Sequence, residues 1–262
     1  MYHKMELMRI ILKIIMWVLI IGFGCNFVMQ LVSYSFYKGA KKMTDITSVP
    51  QYIQITDKLT GYGYNLNVNS DKVILFFGGS NYIAYNSVGK YASKFAYPFL
   101  SVDYYGTQDS KGKMNLETMK KSSAELYDWA QKQYPQAEII IMGHSYGTGM
   151  ATYLASVRQC KTLVLAAGYR DISDLYNKMI PIFWGPLKVF ISNNIQVSEY
   201  AKNVTGSVYV IGSKADKTLS ASLQKKLSDC FENSELKVFD DITHENYLIS
   251  EEVVKYINDI IE

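Results

Sequence analysis

Ser145 stands in Gly143-His144-Ser145-Tyr146-Gly147, directly after the apolar run Glu138-Ile-Ile-Ile-Met142. A strand, a sharp turn and a following helix form the setting in which a G-x-S-x-G serine is presented as a nucleophile. The glycines matter because such a turn is strained and neighbouring backbones approach closely, which a Cβ would block. The bland alternative is a glycine-containing turn with a buried serine. A serine hydroxyl ionises only at very high pH and needs a base to attack. Imidazole suits that task because it titrates near neutrality.

The chain has three histidines. His3 lies at the extreme N-terminus and His144 is inside the turn itself. That leaves His244, in Asp240-Asp-Ile-Thr-His244 after the last apolar run; its alternative is an ordinary exposed loop histidine. The base in turn needs an acid to fix its tautomer and stabilise its charge. Asp216 is the expected partner, because it follows Val208-Tyr-Val-Ile211 through Gly212-Ser-Lys-Ala215 and falls between serine and histidine in the chain. Asp240 and Asp241 are rivals but sit close to His244 in sequence. Asp171 and Asp174 would matter only if their segment folds back. Two backbone amides must face the developing oxyanion. Tyr146 is the first candidate and Ser80, in Gly78-Gly79-Ser80-Asn81, the second, with Gly79 leaving room for approach.

The elements that would position these residues are legible as short apolar runs. Val73–Phe77, Phe99–Val102, Ile139–Met142, Leu163–Leu165, Val208–Ile211 and Leu236–Phe239 read as buried strands alternating with helices, the pattern of a mostly parallel sheet with helices on both faces. Gln51–Thr56 and Tyr62–Val68 read as an antiparallel edge, turned at Thr60-Gly61. Leu116, Met119, Leu126 and Ala130 share one helical face, with Asn115 as N-cap and Pro135 as the stop. Between Gly168 and Gly206 the alternation breaks into an aromatic stretch divided by Pro181 and Pro186. It is expected to be a small helical lid, about residues 169–205, or extra packing over the sheet.

The N-terminus differs from the rest. Ile14 to Val32 carries no charge. As a helix it would span about 28 Å, close to a bilayer core of about 30 Å. Trp17, Tyr34, Phe36 and Tyr37 are candidate interface aromatics. A retained single-pass signal anchor, residues 1–37 with the span at about 14–32, is the expected arrangement. Alternatives are a cleaved signal peptide ending near Ser33-Tyr34-Ser35, a lipid-modified Cys25, or a helix buried in the protein. The expected location of residues 38–262 is outside the cytoplasm, although Lys4, Arg9 and Lys13 before the span and Lys38, Lys41 and Lys42 after it make the charge vote narrow.

Composition narrows the field. The net charge is +3 with acids and bases interspersed, so no nucleic-acid partner is expected. The three cysteines make no C-x-x-C and no His/Cys cluster at ligand spacing, so no metal and no cofactor are expected. Free buried thiols are expected over a Cys160–Cys230 bridge.

Together these residues resemble the α/β-hydrolases, and more narrowly the BEM46-like serine hydrolases, membrane-anchored proteins with a compact lid. The similarity runs from about Gln51 to the C-terminus. Asp103-Tyr104-Tyr105-Gly106-Thr-Gln-Asp-Ser110-Lys-Gly112 parallels that family's D-Y-R-G-Y-G-x-S-x-G segment, and His244-Glu245-Asn246 its terminal H-N-D. Two positions depart: Gly78-Gly79-Ser80 stands for the family's His-Gly-Asn, and Tyr105 for its arginine. The resemblance implies the α/β-hydrolase fold and a serine hydrolase cleaving an ester, thioester or related acyl bond through Ser145, His244 and Asp216. Its substrate would be a small molecule, a lipid or an acylated protein. The aromatic lid and the nearby bilayer favour an apolar acyl group. The enzymatic alternative is a peptidase or amidase on the same residues, and the non-enzymatic one a binding protein that keeps the fold.

Overall fold

The structure is a computed structural model that describes residues 2–35, 37 and 40–262. Phe36, expected at the membrane interface, and Lys38, at the start of the basic connector, lie outside the described residues.

Eight strands form one sheet: β1 (Gln51–Gln54), β2 (Thr60–Tyr64), β3 (Lys72–Phe77), β4 (Phe99–Val102), β5 (Glu138–His144), β6 (Thr162–Ala166), β7 (Ser207–Ser213) and β8 (Ser234–Phe239). Their order is β1-β2-β4-β3-β5-β6-β7-β8, antiparallel for β1, β2 and β4 and parallel from β4 onward. The apolar runs become strands because both faces of the parallel part are covered, so every position must be apolar. Val73, Leu75, Ile139, Ile141 and Leu163 point to one core. It is closed by α3 (Leu116–Gln133), α4 (Thr148–Val157) and Leu227 of α7 (Ala221–Ser228). Ile74, Phe76, Ile140, Met142 and Val164 point to the other core, closed by α2 (Ala84–Tyr91) and α8 (Glu251–Ile261).

Local signals set the ends. Asn115 caps α3 with a reciprocal box, its side chain accepting from the Thr118 amide while the Thr118 hydroxyl accepts from the Asn115 amide, both at 2.9 Å. The edge hairpin departs from expectation. Its bend falls at Thr56–Lys58, Thr60 and Gly61 lie inside β2, and β2 stops at Tyr64 instead of Val68. Asn65 takes a positive φ of 57° there, which ends the extended run. Gly61 is needed in the strand because a Cβ would strike the Ser101 carbonyl of the neighbouring β4.

The segment between β6 and β7 folds as α5 (Ile172–Met179), a 3-10 turn over Gly185–Phe190, and α6 (Val197–Tyr200). Against it lies α1 (Tyr2–Ser35), a single helix long and apolar enough to cross a membrane, with a mean hydropathy of 2.2. Only 11% of its most apolar window is buried, so it is not a core helix of this chain. Its one covered stripe is Gly22, Asn26, Met29 and Ser33, spaced at i, i+4, i+7 and i+11. Asn26 donates to the Ser192 hydroxyl at 2.9 Å, Gln30 to the Tyr176 hydroxyl at 3.1 Å, and Ser33 lies 3.0 Å from that same hydroxyl. Gly22 admits the Phe190 ring, where a Cβ would come within 2.5 Å of it. Beyond the helix, Tyr37 is buried edge-on against Tyr104 and Tyr146.

The segment between β6 and β7 is thus pinned to α1 as well as to the sheet. Gly22→Leu is expected to lift Phe190 and to speed thermolysin cleavage within 183–194, while cleavage elsewhere stays at parent rates; limited proteolysis with mass readout checks this.

Candidate active site

Ser145 sits at the carboxyl end of β5, where the strand turns into the 3-10 segment Ser145–Gly147 and then α4. Its φ is +53°, the left-handed region that a non-glycine residue adopts only when its surroundings impose it. The glycines supply that imposition. A Cβ on Gly147 would run into the carbonyl oxygens of Phe77 and Gly78, and one on Gly79 would lie 2.7 Å from the Ser145 Cβ.

The structure brings the three expected residues together. The Ser145 hydroxyl lies 2.9 Å from His244 Nε2, and His244 Nδ1 lies 2.9 Å from Asp216 Oδ2. A carboxylate at Nδ1 makes that nitrogen the donor and leaves Nε2 free to accept from the serine. The second Asp216 oxygen accepts from the amides of Thr218 and Leu219, each at 2.8 Å, and the Tyr247 hydroxyl donates to Oδ2 at 3.2 Å. Burial pushes the Asp216 carboxyl up. The hydrogen bonds from His244, Leu219 and Thr218 and the His244 charge outweigh it and hold the group below the usual carboxylate value.

Three of the four rival acids are engaged elsewhere. Asp240 pairs with Lys214 at 2.6 Å, Asp174 with Arg170 at 3.0 Å, and Asp171 accepts from the Ser198 hydroxyl at 2.7 Å. The loops carrying Asp216 and His244 are stitched by Ser213, whose hydroxyl accepts from the amides of Ile242 at 3.0 Å and Ala215 at 3.2 Å. Tyr105, where the resemblance has an arginine, donates to Glu125 of α3 at 2.6 Å and so braces a helix.

Sequence reasoning treated His144 only as a neighbour of the serine. In the structure its Nε2–H donates to the backbone carbonyl of His244 at 3.1 Å, and the two rings lie 5.4 Å apart. Burial, then the neighbouring His244, pushes its pKa down to about 4, so it stays neutral where His244 would work. The strand-end position of His144, facing the same loop as Ser145, was the signal that could have found this contact.

Two cavities meet at Ser145. One of about 510 Å³ is polar, with Lys41, Asn81, Asn86 and Lys90 on its wall and Gly79 and Ser80 at its base. The other, of about 580 Å³, is mainly apolar, walled by Ile172, Leu175 and Met179 of α5 and by Met29 of α1. Ser80, Ser145, His244 and Glu245 line both, and Tyr146 lines the apolar one. Cys25, Cys160 and Cys230 are free thiols. Among the described residues no group of three His, Cys, Asp or Glu side chains is placed to hold a metal ion.

An eight-stranded, mostly parallel sheet with a serine on a strained strand-to-helix turn defines the α/β-hydrolase class, and residues 74–196 match the sequence family described as alpha/beta hydrolase fold. This chain has the α/β-hydrolase fold, and a little under half of its sequence matches that family. The matched stretch contains Ser145 and ends before Asp216 and His244. Among curated proteins it is similar to the lysophosphatidylserine lipase ABHD12 of Danio rerio, 27% identical over 157 residues, which are 53% of this chain and 41% of that protein. The chain therefore matches about two fifths of that relative's length. Among solved structures it is similar to the Pyrococcus furiosus esterase Pf2001, with a TM-score of 0.61 at 16% identity over 83% of this chain and 90% of that one. A Pyrococcus horikoshii acylaminoacyl peptidase superposes comparably, with a TM-score of 0.59 at 18% identity over 86% of this chain and 42% of that one. At such identities the likeness is one of fold.

The depressed pKa of His144 has a stability consequence. A neutral buried imidazole contributes stability that is present above the ordinary histidine range near 6.5 and is lost as pH falls through about 4. His144→Gln is expected to lose less stability than the parent between pH 7 and pH 4.5, read as the shift in urea midpoint.

Proposed function

We propose that this protein is a membrane-tethered serine hydrolase that cleaves a carboxylic ester or thioester of an amphiphilic substrate. The observation that carries this reading is the continuous chain Ser145–His244–Asp216 with 2.9 Å at each step. In the first half-reaction Ser145 Oγ attacks the acyl carbon while its proton passes to His244 Nε2. The carbonyl oxygen becomes an oxyanion, for which the amides of Tyr146 and Ser80 are the proposed donors, Gly79 leaving the space. Collapse of the intermediate expels the alcohol or thiol, which takes the proton from the imidazolium and leaves an acyl-serine. Water, deprotonated by the same imidazole, then attacks the acyl-serine and releases the acid.

The two cavities support the substrate class. An acyl chain fits the apolar cavity between α5 and α1, and a polar or anionic head group fits the cavity with Lys41 and Lys90 on its wall. ABHD12 of Danio rerio is named as a lipase for a lysophospholipid, a single acyl chain on a charged head, which agrees with this division. The narrower BEM46-like resemblance, the anchor at residues 1–37 and a catalytic domain at 38–262 outside the cytoplasm belong to the same proposal.

A fluorophosphonate probe is expected to label the parent and neither Ser145→Ala nor His244→Ala; a folded parent that stays unlabelled would overturn the proposal. Asp216→Asn removes the acceptor at Nδ1 and is expected to lower kcat roughly a thousandfold or more with little change in KM. Esters of graded acyl length are expected to outrun aminoacyl amides, with kcat/KM rising as the chain lengthens; a preference for the amides would replace the esterase by a peptidase.

A further inference from the structure

The domain exposes its large apolar side chains unevenly. Met43, Val49, Tyr52, Val68, Val157 and Ile249 are scattered singly over its surface. Met179, Trp184, Leu187 and Val189 fall instead within one short stretch of the lid, with Trp184 61% and Val189 80% exposed. Exposed large apolar side chains gathered in one segment mark a contact with another apolar body.

What that body is follows from where the patch sits. Phe190, next in the chain to Val189, packs edge-on against Phe23 at 5.1 Å and fills the notch at Gly22. Gly22 lies ten residues before Val32, about 15 Å along a helix, which is roughly half a bilayer core. The polar groups of the same stretch of α1 are matched by the lid, Asn26 through Ser192 and Gln30 through Tyr176 and the Ser192 carbonyl. An apolar helix that carries such groups into hydrocarbon needs them satisfied by protein. The remaining face of α1, including Phe23, Phe27 and Leu31, is open and apolar, so the lid patch continues it. Met179 belongs both to that patch and to the rim of the apolar cavity over Ser145.

We propose that the lid segment from Met179 to Val189 is a membrane-docking surface that enters the lipid bilayer beside α1, so that acyl chains reach the apolar cavity laterally from the membrane. Met29 of α1 then forms part of the cavity wall as well as part of the anchor. The proposal rests on the reading of α1 as a membrane helix, and the test separates the two.

Trp184 is a natural depth probe and Trp17 of α1 its control. The full chain is reconstituted in phosphatidylcholine vesicles doped with acyl-brominated phosphatidylcholine. One variant keeps Trp184 alone (Trp17→Phe with Trp129→Phe) and another keeps Trp17 alone (Trp129→Phe with Trp184→Phe). The expected result is strong quenching of both. Quenching of Trp17 without Trp184 overturns the docking surface and leaves the anchor standing. Quenching of neither removes the anchor and the inference with it. A second variant gives an independent readout. Val189→Asp should slow hydrolysis of a long-chain acyl ester held in the vesicles roughly tenfold through the cost of a carboxylate in hydrocarbon, with hydrolysis of a soluble butyrate ester unchanged. An equal loss on both esters, or no loss on either, contradicts lateral entry.

Discussion

The site depends on one unfavourable backbone conformation. Ser145 is held at a φ of +53°, and nothing in its own chemistry prefers that value. Close packing forces it: Gly147 fits beneath the carbonyls of Phe77 and Gly78, and Gly79 lies against the serine itself. β3 and β5 are adjacent parallel strands, with Phe77 opposite Gly143, so their carboxyl ends deliver both loops to one point. The strain is borne by the sheet, and the hydroxyl is presented at the carboxyl end of an interior strand as the result.

His244 and Asp216 reach that point by different means. β7 and β8 are paired up to Ser213 and Phe239, and each then releases a loop at the same level. Ser213 ties those loops together, and the amides of Thr218 and Leu219 hold the Asp216 oxygen that His244 does not use. His144 closes the arrangement from the serine side by binding the backbone of His244. The histidine is therefore constrained at both ring nitrogens and at its carbonyl.

Much of this was legible in the sequence for physical reasons. The parallel strands are buried on both faces, so they show as unbroken apolar runs. With three histidines, one in the turn and one at the far N-terminus, elimination left His244. What escaped was whatever depends on contacts between distant segments. β2 ends early because Asn65 turns left-handed, which no hydropathy pattern announces. Asn26, Gln30 and Ser33 look like minor polar interruptions of an apolar helix, and only the fold shows that they form a stripe matched to Ser192 and Tyr176. Gly22 likewise reads as a small residue in a span, while its use is to receive Phe190. The inserted segment was visible as a break in rhythm, but not its attachment to α1.

That attachment has a consequence for biosynthesis. Asn26 and its partner Ser192 are 166 residues apart, and Gln30 and Tyr176 are 146 apart. A ribosome adding about 5–20 residues per second therefore makes the helix many seconds before the groups that complete it. During that interval the amides of Asn26 and Gln30 must find other hydrogen-bond partners. The helix settles into its final seat only when the second half of the chain has been made, so the seating of α1 reports on completion of the fold it packs against.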